Sequence, residues 1–578
     1  LSVVLGVNDG HNASACLLVD GRLVAAVQEE RLTRVKNQGG LPALAIDEVL
    51  RLGGHARADV DVFAFSDLYL ETGARWDRDA VLATFASHER QRARSWLRRA
   101  PPVHAVRKRQ LRAARERALV ALGFARERTT LVEHHRSHAA AALHASGWSD
   151  GPTLVLTADG VGDYLSATVT VAEDGALRRI REVDAIHSLG TLYARVTYLM
   201  GMVPLEHEHK VMGLAPYGAR NAAATQRVAD KLRALFVPSV DGTAWSSRVD
   251  QARPLRQLRD LLDRERFDVV AAGLQRATED LVLSWVEACV RATGVRRVAL
   301  AGGLFMNVKV DQRVLASPEV RELYVLPSCG DETNSLGAAF DVAAARGDRI
   351  EPLRDLYLGA DVRDEDAEKA LRSADLPPHV TWRRMADPAR EVAALLAQGK
   401  VVARAAGRAE FGARALGNRS ILADPRRIEV VARINDAIKS RDFWMPFAPA
   451  LPEERSDEYV AKPKPMRAPY MVLAFDARPD KLAALRAATH PADGTARVQE
   501  VPRDWAPEYH AILKRFGEAT GDPVLLNTSF NLHGFPIVET AQDALDVFLR
   551  SGLDELQLAG FLVSKHAKRR QVDAVAPG

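Results

Sequence analysis

Residues Thr153-Leu-Val-Leu-Thr157, the pair Asp159-Gly160 and Tyr164-Leu-Ser-Ala-Thr-Val-Thr-Val171 read as two strands joined through an Asp-Gly turn. β-Branched residues crowd both runs, and small residues with possible positive φ separate them. The pattern has a precedent at the start of the chain. Ser2-Val-Val-Leu-Gly-Val7 is a buried strand, Asn8-Asp-Gly-His-Asn-Ala-Ser14 a polar loop, and Ala15-Cys-Leu-Leu-Val-Asp20 a second strand. Asp20-Gly21 then makes a hairpin turn into Arg22-Leu-Val-Ala-Ala-Val27. Loops of this kind present backbone N–H groups to phosphates. Asp9, Gly10 and Gly160 are therefore candidate nucleotide contacts, and His11 in the first loop is a candidate general base near neutral pH.

The two hairpins fit a duplicated ribonuclease-H-like fold, that of actin-like nucleotide-binding domains. Just before the second lies Glu133-His-His-Arg-Ser-His138, followed by an alanine-rich run that favours helix. His134 and His138 fall on one helix face and can share a divalent metal if carboxylates arrive from elsewhere. Asp159 and Asp331, each in a Gly-rich loop, are the acidic candidates. An isolated His pair at this spacing serves equally well as a polar helix face, and His135/His138 is a weaker rival pair. Further on, the strand Val295–Leu300 ends in Gly302-Gly303 with Asn307 close behind. A strand ending in Gly-Gly lets backbone approach a flat ligand such as adenine. Asn334, opening the helix after the Asp331 loop, joins the same nucleotide set.

At 578 residues the chain needs more than one core, and its 47% apolar and 27% charged residues are those of a globular protein. Three cysteines without a CxxC suit a reducing cytoplasm. The first residues already read as a strand, so no secretory leader is expected, and no apolar run is long enough for a membrane helix. Residues 85–117 are strongly basic, but few aromatic residues interleave them; an amphipathic helical hairpin is expected and nucleic acid is not. The composition leaves a homodimer open. We place the first domain at 1–355, a linker at 356–386 and a second domain at 387–578, with a frayed tail after Lys565.

The second domain groups arginines with glycine, serine and asparagine rather than lysine with glutamate. Gly407 to Ser420 holds Arg408, Glu410, Arg414, Arg419 and Ser420; Lys439, Arg441 and Arg497 follow, and Asn527, Ser529 and Asn531 lie in a late Asn/Ser stretch. Arginine forks bind phosphate or carboxylate bidentately. A pocket for a multiply charged anion, such as a triphosphate with a small phosphorylated acid, is expected. No Walker A motif, GxGxxG or Ser/His/Asp triad is present.

His134-xxx-His138, Asp159-Gly160, Glu208-His-Lys-Val-Met-Gly-Leu-Ala-Pro-Tyr-Gly218, Gly302-Gly303 with Asn307, and Gly330-Asp-Glu-xx-Ser335-Leu-Gly-Ala338 resemble the NodU/CmcH family of O-carbamoyltransferases. Gly407–Ser420 and Asn527-Thr-Ser-Phe-Asn531 are similar to that family's C-terminal domain, so the resemblance spans nearly the whole chain. It implies an actin/Hsp70-like first domain similar to the tRNA threonylcarbamoyl transferases and a YrdC-like second domain. It also implies that carbamoyl phosphate and Mg-ATP give carbamoyl adenylate in the second domain. A hydroxyl of a small natural product, as in antibiotic tailoring, then takes the carbamoyl group in the first. Iron(II) is implied at His134, His138 and Asp331, with Asp159 as a further ligand. Lys36 is implied near the nucleotide or acceptor, and Arg414 and Ser529 at the adenylate-forming step. Two departures stand out: Ala413 where many relatives have proline, and Asn12 after His11 where many have aspartate. The rivals are tRNA modification on the same folds and a non-catalytic nucleotide-binding module.

Overall fold

In the computed structural model, which describes residues 2–71, 78–87 and 101–566, each strand-turn-strand segment opens a five-stranded sheet. β1 (Val3–Asn8), β2 (Ser14–Val19) and β3 (Arg22–Gln28) run antiparallel; β4 (Val62–Ser66) and β5 (Thr129–Val132) add in parallel beyond β1. The order is β3-β2-β1-β4-β5. β6 (Thr153–Gly162), β7 (Leu165–Glu173), β8 (Ala176–Asp184), β9 (Arg297–Ala301) and β10 (Glu322–Val325) repeat it as β8-β7-β6-β9-β10, with the same directions. This is the duplicated ribonuclease-H-like, actin/Hsp70-like architecture expected from the two hairpins.

In each half a helix leaves the end of the fifth strand: α3 (His134–Ser146) after β5 and α5 (Asn334–Ala345) after β10. Both are alanine-rich and buried, and they pack face to face. The approach is close because the residues are small: a Cβ on Gly337 would lie 1.8 Å from the Ser137 carbonyl oxygen. The N-termini of α3 and α5 thus meet at the hairpin loops, where site residues from both halves converge.

Between β4 and β5 lie α1 (Arg78–Ser87) and α2 (Pro101–Ala121). Arg90, Arg92, Arg94, Arg98 and Arg99 of the basic stretch lie outside the described residues. The helical expectation holds for α2, but its arginines are not all solvated, since Arg115 is 1% exposed.

The second unit is mixed α/β. Its main sheet has eight strands, in the order 380–384, 561–565, 555–558, 402–405, 419–423, 525–529, 448–452 and 499–501. The expected linker 356–386 needs correction. Tyr357–Val362 pairs with Gly407–Glu410, and Val380–Arg384 forms an edge strand against Phe561–Lys565. The helix between them, Asp364–Ser373, buries Ala367, Ala370 and Leu371 against the sheet. Alternation of small apolar with charged residues, read as a polar connector, is here the amphipathic pattern of packed elements. The frayed-tail expectation from 567 onward lies outside the described residues. The two units touch through buried polar contacts: Arg31 donates to the Gly412 carbonyl at 2.6 Å, and the Ala413 N–H to Ser328 Oγ at 2.9 Å. Among the described residues no helix is long and apolar enough to cross a membrane, and all three cysteines are buried and free.

Candidate functional site

The Glu133 carboxylate caps α3, accepting the N–H groups of His135 (3.2 Å) and Arg136 (2.8 Å). One turn apart, His134 and His138 then face the second hairpin. Single donor atoms of His134, His138, Asp159 and Asp331 all lie within 4.8 Å of one another. Asp159 Oδ2 is 3.2 Å from His134 Nε2 and 3.1 Å from His138 Nε2; Asp331 Oδ1 is 3.6 Å from both. Donors about 2.1 Å from one tetrahedral ion stand about 3.4 Å apart, so the set fits a metal. Its N/O composition suits a borderline divalent ion such as iron(II) or zinc. On the far side of His134, Nδ1 is 2.9 Å from Asp67 Oδ1, which fixes the ring and turns Nε2 toward the other donors. His138 Nδ1 is buried without a partner.

The charges in this cluster are mutually stabilised. Burial alone would raise the Asp159 carboxyl, but hydrogen bonds with His134 and His138 outweigh it and hold it well below the carboxylate range. Burial alone would lower His134, but the charge on Asp67 and bonds to both carboxylates raise it well above the imidazole range. Asp331, buried beside the Asp159 charge, is raised. His135 is not part of the set. Its Nδ1 meets Thr157 Oγ1 at 2.8 Å, and burial beside His134 pushes it down to about 3, so the His135/His138 rival is not assembled.

One detail of the hairpin differs from expectation. The turn lies at Asp163-Tyr164, both with positive φ (48° and 72°), not at Asp159-Gly160. Pairing shifts between Ala158 and Gly162, so Asp159 sits in an irregular stretch of β6. Bulges of this kind re-aim a side chain, here toward the histidines. Gly162 makes room for the His134 ring, since a Cβ there would be 2.0 Å from it. Gly302, at φ 98°, brings β9 against the Ala158 carbonyl, and a Cβ on Gly303 would stand 3.0 Å from Asp159 Oδ1. Both glycines thus lie beside the centre.

The other nucleotide candidates divide. Asn334 stands at the centre, its Nδ2 3.3 Å from His138 Nε2. Asn307 caps the next helix through Val310 N–H and pairs with Gln275. Asp9 is taken up in a buried ion pair with Arg115 at 2.6 Å, and Gly10 N–H donates to Asn8 Oδ1. His11 follows in that loop, its carbonyl held by Asn8 Nδ2 at 2.9 Å. Lys36 pairs with Glu206 at 3.2 Å, and its charge acts on Lys439 of the second unit.

In that second unit, Arg414, Arg441 and Arg497 line a cavity of about 60 Å³ together with Asn527, Thr528 and Ser529. No carboxylate is paired with any of the three arginines among the described residues. Burial and mutual repulsion push Arg441 down to about 10 and Arg497 well below its usual range. Arg414 Nε and Arg497 Nε are buried without partners. Such concentrated, uncompensated positive charge calls for an anion. Lys439, lowered by burial and by Arg441, donates to Asn531 Oδ1 at 2.7 Å and Ser529 Oγ at 3.1 Å at the cavity's edge.

The remaining candidates are braces, not cavity groups. Arg419 donates to the carbonyls of Glu539 (3.0 Å), Gly407 (2.9 Å) and Ala360 (3.0 Å), and Arg408 to those of Leu358 (2.7 Å) and Val24 (3.0 Å). Glu410 Oε1 accepts three backbone N–H groups, from Leu416, Asn418 and Arg419. Ser420 Oγ accepts Gly417 N–H. These residues shape the loop that presents Arg414. The sites adjoin: Ser328, which holds Ala413, also hydrogen-bonds Glu332, next to Asp331.

Sequence reasoning missed Asp67, Asp163 and Arg115. Asp67 could have been found, because Val62–Ser66 is a buried strand and Ser66-Asp67 falls at its end, where site residues gather in this architecture. Asp163 accepts the N–H groups of Leu68, Tyr69 and His134 and so ties the two halves together.

A duplicated nucleotide-type fold with a His/Asp centre, joined to an arginine-lined unit, is here the framework of a carbamoyltransferase. The chain belongs to the carbamoyltransferase family: residues 3–340 match the model described as Carbamoyltransferase N-terminus, and 393–565 that described as Carbamoyltransferase C-terminus. It is 33% identical over 569 residues to the nodulation protein NolNO of Sinorhizobium fredii, covering 96% of this chain and 79% of that protein. To NolO of Bradyrhizobium diazoefficiens it is 36% identical, covering 75% and 79%. Among solved structures, full-length HypF in its phosphate- and nucleotide-bound form is 14% identical, covers 61% of this chain and 56% of that one, and has a TM-score of 0.33.

Proposed function

We propose that this carbamoyltransferase is ATP-dependent, works through carbamoyl adenylate, and modifies a hydroxyl of a small natural product. The observation that carries the reading is the pairing of an arginine triad lacking counter-ions with a His/Asp centre on the adjoining loop. In the second unit, Arg414, Arg441 and Arg497 hold carbamoyl phosphate and Mg-ATP and stabilise charge developing on phosphate. Water first cleaves carbamoyl phosphate to carbamate and phosphate. A carbamate oxygen then forms a bond to the α-phosphorus of ATP, and the bond to the β-phosphate oxygen breaks, its electron pair leaving with pyrophosphate. In the first unit the acceptor oxygen forms a bond to the carbamoyl carbon. The bond to the AMP oxygen breaks, its electron pair leaves with AMP, and the hydroxyl proton passes to a base, for which His11 is the candidate.

His134, His138, Asp159 and Asp331 would hold iron(II), which when bound supplies a Lewis-acidic charge. Asp67 keeps the His134 ring oriented for this, and Asp163 anchors the start of α3. Lys36 and Glu206 line the junction of the units. The test is to incubate the protein with ATP and carbamoyl phosphate, then add a panel of hydroxylated natural products. Pyrophosphate release that requires carbamoyl phosphate, followed by AMP release and a mass gain of one carbamoyl group on an alcohol, is expected. Pyrophosphate release indifferent to carbamoyl phosphate, or modification of bulk tRNA instead, would overturn the proposal.

A further inference from the structure

We propose that Arg115 is a positioning residue for the His/Asp centre and that α2, which carries it, clamps the carboxylate standing behind His134. The proposal rests on the reading of that set as a metal centre. Among the described residues, Arg115 directs its hydrogen bonds to Asp9, Ser66 and Asp67 rather than to the four donors. Its fork reaches Asp9 with both terminal nitrogens (Nη2–Oδ1 2.6 Å, Nη1–Oδ2 3.1 Å), the Ser66 carbonyl through Nη2 (2.7 Å) and the Asp67 carbonyl through Nε (2.8 Å). The ion pair with Asp9 offsets the desolvation of the buried guanidinium.

Asp67 receives such support on both sides. Its φ is +68°, in the left-handed region that residues with a Cβ enter only occasionally, Asp among them where hydrogen bonds hold it. Arg115 holds its carbonyl, and Asp163 holds the next two N–H groups, Leu68 at 2.8 Å and Tyr69 at 3.0 Å. Held from both sides, the carboxylate is aimed at His134 Nδ1. The same face of α2 is fastened to the second hairpin. Lys108 Nζ lies 5.3 Å and 5.0 Å from the rings of Tyr69 and Tyr164, and the His104 ring stands edge-on to Tyr164 at 4.7 Å. His104, Lys108 and Arg115 lie along one stripe of the helix. A segment read from sequence as a solvated basic helix is thus joined to both hairpins of the site.

The experiment titrates the full-length, metal-stripped protein with cobalt(II), followed by visible absorption, for wild type, Arg115→Met, Arg115→Lys and the exposed α2 control Arg117→Met. Replacing outer partners of a metal ligand costs about 10–100-fold in affinity. Arg115 acts one step further out, through Asp67, so a loss at the lower end, about tenfold, is expected for Arg115→Met. Lysine keeps a charge near Asp9 but has no fork, so Arg115→Lys should fall between, and Arg117→Met should match wild type. Wild-type cobalt affinity in an Arg115→Met protein with native near-ultraviolet circular dichroism overturns the proposal. If that variant does not fold, an unchanged Arg115→Lys overturns it. If the wild type binds no cobalt, the metal reading has failed; Arg115 is then judged by the ¹⁵N tautomer signature of His134, whose persistence in the variants overturns the positioning role.

Discussion

The two charged clusters of this molecule are built on opposite principles. Around His134 and His138, acids and bases neutralise one another: Asp67, Asp159 and Asp331 face two imidazoles, and the protein has satisfied most of the charge itself. Around Arg414, Arg441 and Arg497, charges of one sign crowd a small cavity with no ion-paired carboxylate among the described residues, Glu332 acting on Arg414 only through its charge. Under the proposed function the first arrangement would exchange one set of partners for a cation, and the second would be completed by an anion. Substitutions should therefore act in opposite directions on the stability of the empty protein, and on different steps of the reaction.

The largest effect is expected at the His/Asp centre. Asp159→Ala removes the acid that both histidines share, and should abolish carbamoyl transfer, a loss of roughly a thousandfold or more if a Lewis acid contributes several kcal/mol. Carbamoyl phosphate-dependent pyrophosphate release should survive. It should also lower the melting temperature, because two buried imidazoles lose their acceptor. Equal loss of both steps would erase the distinction between the clusters.

Next in size is the arginine cavity. Arg497→Met should reduce pyrophosphate release by roughly 10²–10³-fold, the usual cost of removing one donor to developing charge, while leaving metal content untouched. The same change should raise the apo-protein's stability by about 1 kcal/mol, since it removes a buried cation that lacks an acid partner. Thermal melts with and without pyrophosphate check it: the variant should melt higher when empty and gain less from the anion. A destabilised empty variant would mean the arginines are structural after all.

The clusters were not equally legible in the sequence. The His/Asp set could be assembled because helix periodicity and two glycine-rich loops restrict where side chains point, and α3 and α5 do bring them together. In the arginine stretch no such periodicity operates. Arg414 and Arg419 are equivalent by composition, but Gly412 (φ 99°) turns the loop just before Arg414 and Gly417 (φ 119°) turns it between the two. Arg414 enters the cavity, and Arg419 enters the backbone of neighbouring strands. The pairing of Asp9 with Arg115 spans 106 residues and left no local trace. The linker assignment failed for a related reason: Val380–Arg384 is a strand only because the last strand of the chain returns beside it.

A smaller effect should come from the orientation of His134. Asp67→Asn keeps the shape but removes the charge 2.9 Å from Nδ1. Metal affinity should drop by about 10–100-fold, read by cobalt titration, with the arginine cavity's pyrophosphate release unchanged. Retention of full affinity would show that the ring is held by packing against Gly162 alone.

The element between the clusters, α4 (Glu208–Gly218), gives the last test. It faces the second unit: His490 Nε2 donates to the Gly213 carbonyl at 2.7 Å and Trp444 Nε1 to that of Lys210 at 3.1 Å. His209, exposed in the first turn, stands where the charges of Lys36, Arg441 and Arg414 disfavour its protonated form. Its neighbour Glu208 is raised by burial from 4.5 to about 7, and accepts Leu205 N–H at 2.8 Å. The sign follows from proton binding. Between those two values the folded protein keeps the Glu208 proton while the unfolded chain releases it. This group's contribution is therefore full below pH 4.5 and is lost as pH rises toward 7. The loss amounts to about 3.5 kcal/mol at most, because each tenfold difference in proton affinity between the folded and unfolded chain is worth about 1.4 kcal/mol. Glu208→Gln, neutral at every pH, should be more stable than wild type above pH 7 and should flatten the fall in stability between 4.5 and 7. Denaturant midpoints across that range read it directly. A variant whose pH profile parallels wild type would mean that Glu208 titrates alike in the folded and unfolded chain, and one that steepens the fall instead would place Glu208 in contact with the positive cavity, α4 then belonging to the arginine cluster.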